Sequence, residues 1–228
     1  MRDKVIYALG LAAALLLVRN LYQIFVGLPD EVQQGAIYRI IFFHVPAAAT
    51  FMMAAFVAMA ASVGYLWRRD LAYDGLAAGV TEVGLVFGAV NLITGMIWAR
   101  IIWGIWWAWD ARLTFMLISW LMYAAYLMLR NAVDETTQRA RLSAVLSILT
   151  FPAVLVTYKA IDWWRTQHPG PVLTIRGAEG RMDPAMEAVL YWNILAVLLF
   201  ATVLLLVRMR QEEVRRELDG MRREVHAL

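Results

Sequence analysis

The chain has 228 residues, of which 62% are hydrophobic and 17% are charged, with a mean hydropathy of +0.60 and a formal net charge of +3. A soluble globular domain needs a more polar surface than this composition supplies, so that class is excluded. The absence of cysteine excludes disulfides, thiolate metal sites and thiol chemistry on this chain.

Six apolar runs are long enough to cross a membrane as helices. A helix rises about 1.5 Å per residue, so about 20 apolar residues cross the hydrocarbon core of roughly 30 Å. The runs cover, approximately, residues 5–26, 47–67, 75–97, 114–129, 144–160 and 185–207. No run alternates like a strand of a transmembrane barrel. We therefore predict an all-α membrane protein in which residues 1–207 form a six-transmembrane-helix bundle.

The segment after the sixth run, residues 208–228, is rich in charge. Glu212 and Arg216 are spaced for an ion pair on one helix face. We predict a charged cytoplasmic helix that lies near anionic lipid headgroups. A docking site for a partner protein is the alternative interpretation.

Lysine and arginine are unevenly distributed between the two sides of the predicted bundle. Those on the side of the termini are Arg2, Lys4, Arg68, Arg69, Arg130, Arg139, Arg141, Arg208, Arg210, Arg215, Arg216, Arg222 and Arg223. Those on the other side are Arg39, Arg100, Arg112, Arg165, Arg176 and Arg181. Since cytoplasmic loops carry the excess of positive charge, both termini are predicted to be cytoplasmic. The net charge then reflects topology, and no nucleic-acid partner is predicted.

The stretch WGIWWAWDARLT, residues 103–114, is unusually rich in tryptophan. An aromatic belt would explain such residues in general, but a belt populates both membrane interfaces. Here Trp67 lies at the inner boundary, whereas a larger set lies on the predicted outer side. That set is Trp98, Trp103, Trp106, Trp107, Trp109, Trp163 and Trp164. The asymmetry favours a binding site over simple anchoring.

We predict that residues 103–110 form an interfacial tryptophan-rich helix on the outer face. The residues that would share one side of this helix are Trp103, Trp106, Trp107 and Asp110. Such a surface suits a large, planar, apolar ligand, because rings stack without hydrogen bonding. Gly104 would admit close approach of the ligand or of a neighbouring helix. We expect Asp110 to cap and pair rather than to act as an acid or base.

Two of the three histidines lie on the predicted outer side. His44 stands in FFHVPAAAT before the second run, and His168 in DWWRTQHPGPVL between the fifth and sixth; His226 is in the tail. A single histidine at a helix end is more often structural than a ligand. Two that flank a tryptophan-rich surface favour axial ligation of haem iron. Zinc fits less well, since carboxylates would have to complete its ligand shell.

Several charged residues accompany these motifs. Carboxylates of a ligand would be paired with arginines of the outer side. The candidates, which the sequence does not rank, are Arg100, Arg112, Arg165, Arg176 and Arg181. Glu82, inside the third run, is interpreted as a structural pair or a cytoplasmic partner contact.

The segment WGIWWAWDARLT resembles the WWD signature of the haem-handling proteins of cytochrome c maturation, and specifically that of the CcmC family. The resemblance covers nearly the whole chain, including HVPAA before the second run and WW…H.GP between the fifth and sixth. The chain departs from the family pattern at FMLISW after the signature and at Ala99 before it. These departures concern helix packing and leave the histidines unchanged.

The resemblance implies that haem b is bound by two histidines and the WWD segment. Its axial ligands would be His44 and His168. The residues that would hold the ring are Trp103, Gly104, Trp106, Trp107, Trp109 and Asp110. The implied role is delivery of haem to the chaperone CcmE, beside the ABC transporter CcmA/CcmB and the small membrane protein CcmD. No side chain of this protein is expected to act as a catalytic nucleophile.

Other functions stay open at this point. A membrane b-type cytochrome would need histidines within the spans on both sides of the bilayer. A haem permease or exporter would need polar residues near the midplane, where Asn91, Thr94 and Asn193 are the candidates. A synthase that attaches haem directly to apocytochrome is the third alternative.

Overall fold

The computed structural model describes residues 2–170, 172 and 182–226, and this part of the chain is helical with no β-strand. Within it, six helices are long and apolar enough to cross a membrane. They are α1 (Arg2–Tyr22), α2 (Ile41–Arg68), α3 (Leu71–Ile102), α4 (Ala111–Ala132), α5 (Thr136–Trp163) and α6 (Pro184–His226). The predicted all-α, six-helix membrane fold is confirmed.

Carboxylate caps mark where α3 and α5 begin. Asp70 accepts a hydrogen bond from the backbone N–H of Ala72 at 2.8 Å at the start of α3. Glu135 accepts from Thr137 N–H at 2.7 Å at the start of α5. Because the first N–H groups of a helix lack partners in the preceding turn, such side chains fix the first residue of each helix. The chain therefore turns back sharply between α2 and α3 and between α4 and α5.

The other end of the bundle carries the longer connections, and we call it the histidine end because His44 and His168 lie there. After α1, a single π turn spans Gln23–Gly27, and a 3-10 turn, Ala36–Ile40, leads into α2. Helix α2 thus begins before the predicted span of 47–67 and includes His44.

A proline inside α2 is accommodated by a neighbouring helix. Pro46 has no N–H, so the carbonyl of Phe42 loses its helical donor. The side chain of Asn193 on α6 donates to that carbonyl at 2.5 Å. Asn20 on α1 donates to Asn193 Oδ1 at 3.3 Å. This buried amide chain joins α1, α2 and α6 beside the histidine end.

Helix α2 is central and packs against α3, α5 and α6, while α1 lies against α6. Small residues allow the closest approach between α2 and α3. A Cβ on Gly84 would lie 2.7 Å from Ala54 Cβ, and one on Gly88 would lie 2.9 Å from Phe51 Cδ2. Small side chains at helix interfaces in membranes permit this tight packing, since lipid supplies no hydrophobic force between helices.

Two ion pairs tie distant helices near the opposite end of the bundle. Arg130 donates to both carboxylate oxygens of Asp74, at 2.5 and 2.9 Å. Arg208 on α6 donates to both oxygens of Glu82 on α3, at 2.5 and 3.1 Å. The structure therefore favours a structural ion pair over a cytoplasmic partner contact as the interpretation of Glu82.

The prediction of an interfacial helix at residues 103–110 is wrong. Helix α3 ends at Ile102, and residues 103–110 form a turn followed by extended chain. Gly104 has φ +77°, a left-handed conformation that a right-handed helix does not contain. Asp110 is the N-cap of α4 rather than the last residue of a helix. We call residues 103–110 the tryptophan loop.

Candidate functional site

His44 and His168 are brought together at the histidine end. His44 lies in the first turns of α2, and His168 lies in the loop that follows α5. Their ring centroids are 6.2 Å apart, with 30° between the ring planes. Two metal–nitrogen bonds of about 2 Å each, plus the distance from each nitrogen to its ring centre, span a similar length. The separation of the two ring centroids therefore matches that of two imidazoles on one metal ion.

The surroundings of His168 keep its imidazole neutral. Nδ1 lies 2.8 Å from the carbonyl oxygen of Pro169, to which it donates when Nδ1 carries the proton. Burial, followed by the positive charge of Arg112, lowers the pKa of His168 to about 4. A neutral imidazole protonated at Nδ1 leaves the lone pair of Nε2 free for a metal.

The ring of His44 is oriented by α3. Its Nδ1 lies 3.0 Å from Thr94 Oγ1, and Thr94 in turn donates to the carbonyl of Val90 at 2.7 Å. Since the hydroxyl proton is used on that carbonyl, the oxygen is an acceptor for His44 Nδ1–H. Asn91 Nδ2 lies 3.2 Å from the backbone oxygen and 3.2 Å from Nε2 of His44. Gly95 leaves space for the imidazole ring of His44, because a Cβ on Gly95 would lie 3.0 Å from His44 Cε1.

The tryptophans of the loop do not form one flat surface. Trp103 packs edge-to-face on Trp98 at the end of α3, with centroids 5.1 Å apart. Trp107 packs edge-to-face on Trp109, with centroids 5.9 Å apart. Trp106 is 56% exposed and Trp109 is 78% exposed. The predicted single face is therefore replaced by two pairs of perpendicular rings, which present both faces and edges.

Gly104 shapes the beginning of this loop. The guanidinium of Arg100 donates to the carbonyl of Gly104 and so binds the turn to the end of α3. A Cβ at Gly104 would meet no heavy atom within 4 Å, so the positive φ, not crowding, favours glycine here. The predicted close approach of a neighbouring helix to Gly104 finds no such contact among the described residues. Close approach of a ligand to Gly104 stays a prediction.

The structure distinguishes the arginines of the outer side by their contacts. The positive charge of Arg112 contributes to the lowered pKa of His168. Arg112 makes no hydrogen bond or ion pair with another described residue. Arg100 is used on Gly104, whereas Arg165 is exposed on the loop. Arg176 and Arg181 lie outside the described residues.

Another unsatisfied donor lies in the tryptophan loop. The indole Nε1 of Trp107 is buried and finds no acceptor among the residues that the structure describes. A buried donor without an acceptor costs about 1–3 kcal/mol. Trp107 therefore retains an unused hydrogen-bond donor.

Sequence reasoning missed the residues that support the histidines. Asn91 and Thr94 are three residues apart in an apolar helix, which is a detectable signal because both project from one face. Gln167, whose backbone N–H contacts Asp110, carried no signal, since that contact joins residues far apart in the sequence. In the described part of the chain, no group of three or more His, Asp or Glu side chains could hold a metal ion. The histidine pair thus offers two ligands, the number of axial positions on a porphyrin iron.

These features define a multi-pass helical membrane protein with a pair of facing histidines beside a tryptophan loop at one end of its bundle. Comparison with known proteins identifies the particular family. The family model of Heme exporter protein C, CcmC, matches residues 1–224. The chain belongs to the CcmC family.

Individual relatives agree with this assignment. Heme exporter protein C of Escherichia coli strain K12 is 36% identical over 183 residues, which cover 80% of this chain and 73% of the relative. The protein of the same name from Bradyrhizobium diazoefficiens is 37% identical over 215 residues, covering 93% and 80%. That of Rhodobacter capsulatus is 33% identical over 217 residues, covering 92% and 87%.

Proposed function

We propose that this haem-handling membrane protein of cytochrome c maturation binds haem b between His44 and His168 and delivers it to CcmE. Family membership supports the handling of haem, which is the cargo rather than a resident cofactor. The observation that carries the ligand assignment is the separation of 6.2 Å between the two imidazole rings. The two imidazoles are candidates for neutral ligands and come from separate elements of the chain, as axial ligation requires.

The surrounding side chains fit a haem that is held at its edge. Arg112 has a guanidinium without a described hydrogen-bond partner, and its charge acts on His168, so we assign it to a propionate carboxylate. Trp107 supplies a buried indole N–H that lacks an acceptor. The rings of Trp103 and Trp109 offer apolar contact to the porphyrin. This ranks Arg112 first among the arginines that the sequence left unranked.

Delivery requires that the bound haem can be reached by a second protein. Trp106 and Trp109 are exposed, and His168 lies on a loop rather than inside the bundle. A site formed between loops at the bundle end leaves a haem edge accessible to CcmE. The contribution of this chain is then binding and orientation, with no nucleophile of its own.

The proposal places the protein in the bacterial inner membrane, with both termini in the cytoplasm and the haem site at the periplasmic face. The ABC transporter CcmA/CcmB and the small membrane protein CcmD are its proposed partners, together with membrane lipid. The surplus of lysine and arginine on the side of the termini supports this orientation.

Export of haem through the bundle is the second candidate, because the relatives carry the name Heme exporter protein C. The polar residues within the spans weaken it. Asn91 contacts His44, and Asn193 binds the carbonyl of Phe42, so both amides have structural partners. Haem flux into liposomes that contain only this protein would favour export, whereas its absence favours holding and delivery.

The test of the proposed function is to replace each histidine with alanine and measure the haem carried by CcmE in cells. His44→Ala and His168→Ala are each expected to abolish loading and to shift the haem absorption spectrum of the purified protein. His226→Ala in the tail is the matched control and should load CcmE like the parent. If both substitutions left loading and spectrum unchanged, the ligand assignment would be refuted.

A further inference from the structure

We propose that Asp110, the aspartate of the WWD signature, is a positioning residue that clamps the His168 loop to the start of α4. This inference rests on the proposed function, because it gives a role to the residue through a proposed haem ligand. Asp110 would then act on haem through the position of His168 and not through contact of its own carboxylate with haem.

Both carboxylate oxygens of Asp110 are already occupied. Oδ1 accepts a hydrogen bond from the backbone N–H of Leu113 at 2.9 Å, which caps α4. Oδ2 accepts from the backbone N–H of Gln167 at 3.1 Å. A carboxylate at a helix N-terminus is also stabilised by the helix dipole. One side chain thus caps a helix and holds a loop that is distant in the sequence.

The held residue is the immediate neighbour of His168. On its other side, Gln167 adjoins Thr166, whose Oγ1 accepts from the backbone N–H of His168 at 2.9 Å. The loop therefore has a hydrogen-bonded turn around His168, and Asp110 attaches this turn to α4. Without the attachment, the turn would keep its internal bond and lose its position relative to His44.

A second contact shows that this loop is fastened to α4 in particular. The ring of Trp164 lies parallel to that of Phe115, with 17° between the planes and centroids 6.3 Å apart. Phe115 is one turn into α4, and Trp164 is the residue at which α5 has ended. The aromatic contact fixes the beginning of the loop, and Asp110 fixes the part that carries His168.

Serine at position 110 separates the two functions of the aspartate. Serine is among the preferred N-cap residues, so Asp110→Ser retains a cap for α4. Its single, shorter oxygen cannot reach Leu113 N–H and Gln167 N–H together. Asp70 at the start of α3 is the matched control, because it also caps a helix but contacts no histidine loop. Asp70→Ser therefore measures the cost of changing a capping aspartate alone.

The first measurement is amide hydrogen exchange in the haem-free, full-length protein in detergent. In Asp110→Ser the amide of Gln167 should exchange faster, while the amide of Leu113 stays protected. Asp70→Ser should change neither. Unchanged exchange at Gln167 in Asp110→Ser would overturn the clamp, whatever the protein does with haem.

The second measurement is haemin binding by the same variants, followed by absorption and electron paramagnetic resonance spectra. Loss of a residue that orients a metal ligand weakens binding by about 10–100-fold, which is expected for Asp110→Ser. A high-spin fraction should appear, as in His168→Ala, and added imidazole should return it to low spin in both variants. Asp70→Ser should bind like the parent.

The outcomes distinguish the clamp from the proposed function. A parent protein without a low-spin haem signal would refute ligation by the histidines, while faster exchange at Gln167 would still support the clamp. A low-spin parent whose Asp110→Ser variant keeps its affinity and spectrum would refute the positioning of His168 by Asp110.

Discussion

Thr94 favours the tautomer of His44 that carries its proton on Nδ1. Its hydroxyl gives its proton to the carbonyl of Val90 and accepts from His44 Nδ1, at 3.0 Å. Protein histidines that bind metals usually donate their second N–H to such an acceptor, which fixes the tautomer. His168 has the corresponding arrangement with the carbonyl of Pro169. Each proposed ligand therefore has its Nδ1 engaged.

Replacing Thr94 by valine keeps the shape of the side chain and removes the acceptor. We expect Thr94→Val to weaken haemin binding by about tenfold or more, because His44 loses the contact that fixes its tautomer. Titration of the purified protein with haemin measures the change. Thr94→Ser, which restores the hydroxyl, should recover most of the affinity. Equal binding by the valine variant and the parent would contradict the role of Thr94.

The low pKa of His168 makes a prediction about pH. A histidine with the ordinary pKa of about 6.5 becomes charged as the pH falls through that value. His168, with a pKa of about 4, remains neutral until the pH approaches 4. In the unfolded chain His168 has the ordinary pKa and binds a proton more readily than in the folded protein. The contribution of His168 to folding stability is therefore complete above the unfolded pKa. It is lost as the pH falls from the unfolded pKa to the folded pKa of about 4. The affinity of the folded protein for haemin should therefore stay constant as the pH falls through about 6.5. Loss of haemin affinity with a midpoint near pH 6.5 would contradict the lowered pKa of His168.

Among single residues, the sequence predicted those with rare chemistry. His44 and His168 stand out because the chain has few histidines and these two lie on one predicted side. The ranking of the arginines was not predictable, since the effect of Arg112 on His168 depends on how α4 meets the His168 loop. Support by Gln167 was equally hidden, because a backbone N–H has no signature of its own.

At the scale of elements, hydropathy predicted where the helices lie but not their ends. Helix α2 begins at Ile41 and α3 extends to Ile102, each beyond the corresponding apolar run. The tryptophan loop was predicted as a helix because its spacing matches a helical period. The segment is not helical because Gly104 adopts a positive φ and Asp110 caps the helix that follows, α4.

The Pro46 break gives an element-scale prediction about stability. Asn193→Ala leaves the carbonyl of Phe42 without a donor and Asn20 without its acceptor, which should cost about 1–3 kcal/mol. Thermal unfolding in detergent should show a lower midpoint, and haemin binding should weaken because His44 lies in the same turn of α2. Asn131→Ala, on an exposed position of α4, is the control. An unchanged midpoint for Asn193→Ala would contradict the proposed support of α2.

At the scale of the molecule, α2 is surrounded by its neighbours and carries His44, while the loops gather the remaining site residues at one end. The buried Asp74–Arg130 pair and the Glu82–Arg208 pair join helices toward the other end. Breaking the buried Asp74–Arg130 pair would leave an uncompensated charge, so this contact resists separation of α3 and α4. This arrangement combines a rigid bundle with an accessible site.

The proposed orientation can be tested because the chain contains no cysteine. Val32, which is 98% exposed, lies at the histidine end, and Asp134 is exposed between α4 and α5 at the other end. A membrane-impermeant maleimide added to intact spheroplasts should label Val32→Cys and spare Asp134→Cys until the membrane is opened. The reverse pattern would place the histidine end in the cytoplasm.

The most direct test of the central claim is the electron paramagnetic resonance spectrum of the full-length protein loaded with ferric haem. Two imidazole ligands predict a low-spin signal in the parent protein and its loss in both His44→Ala and His168→Ala, with recovery on addition of imidazole. A high-spin signal in the parent, or a low-spin signal that survives both substitutions, would contradict ligation of haem by this histidine pair.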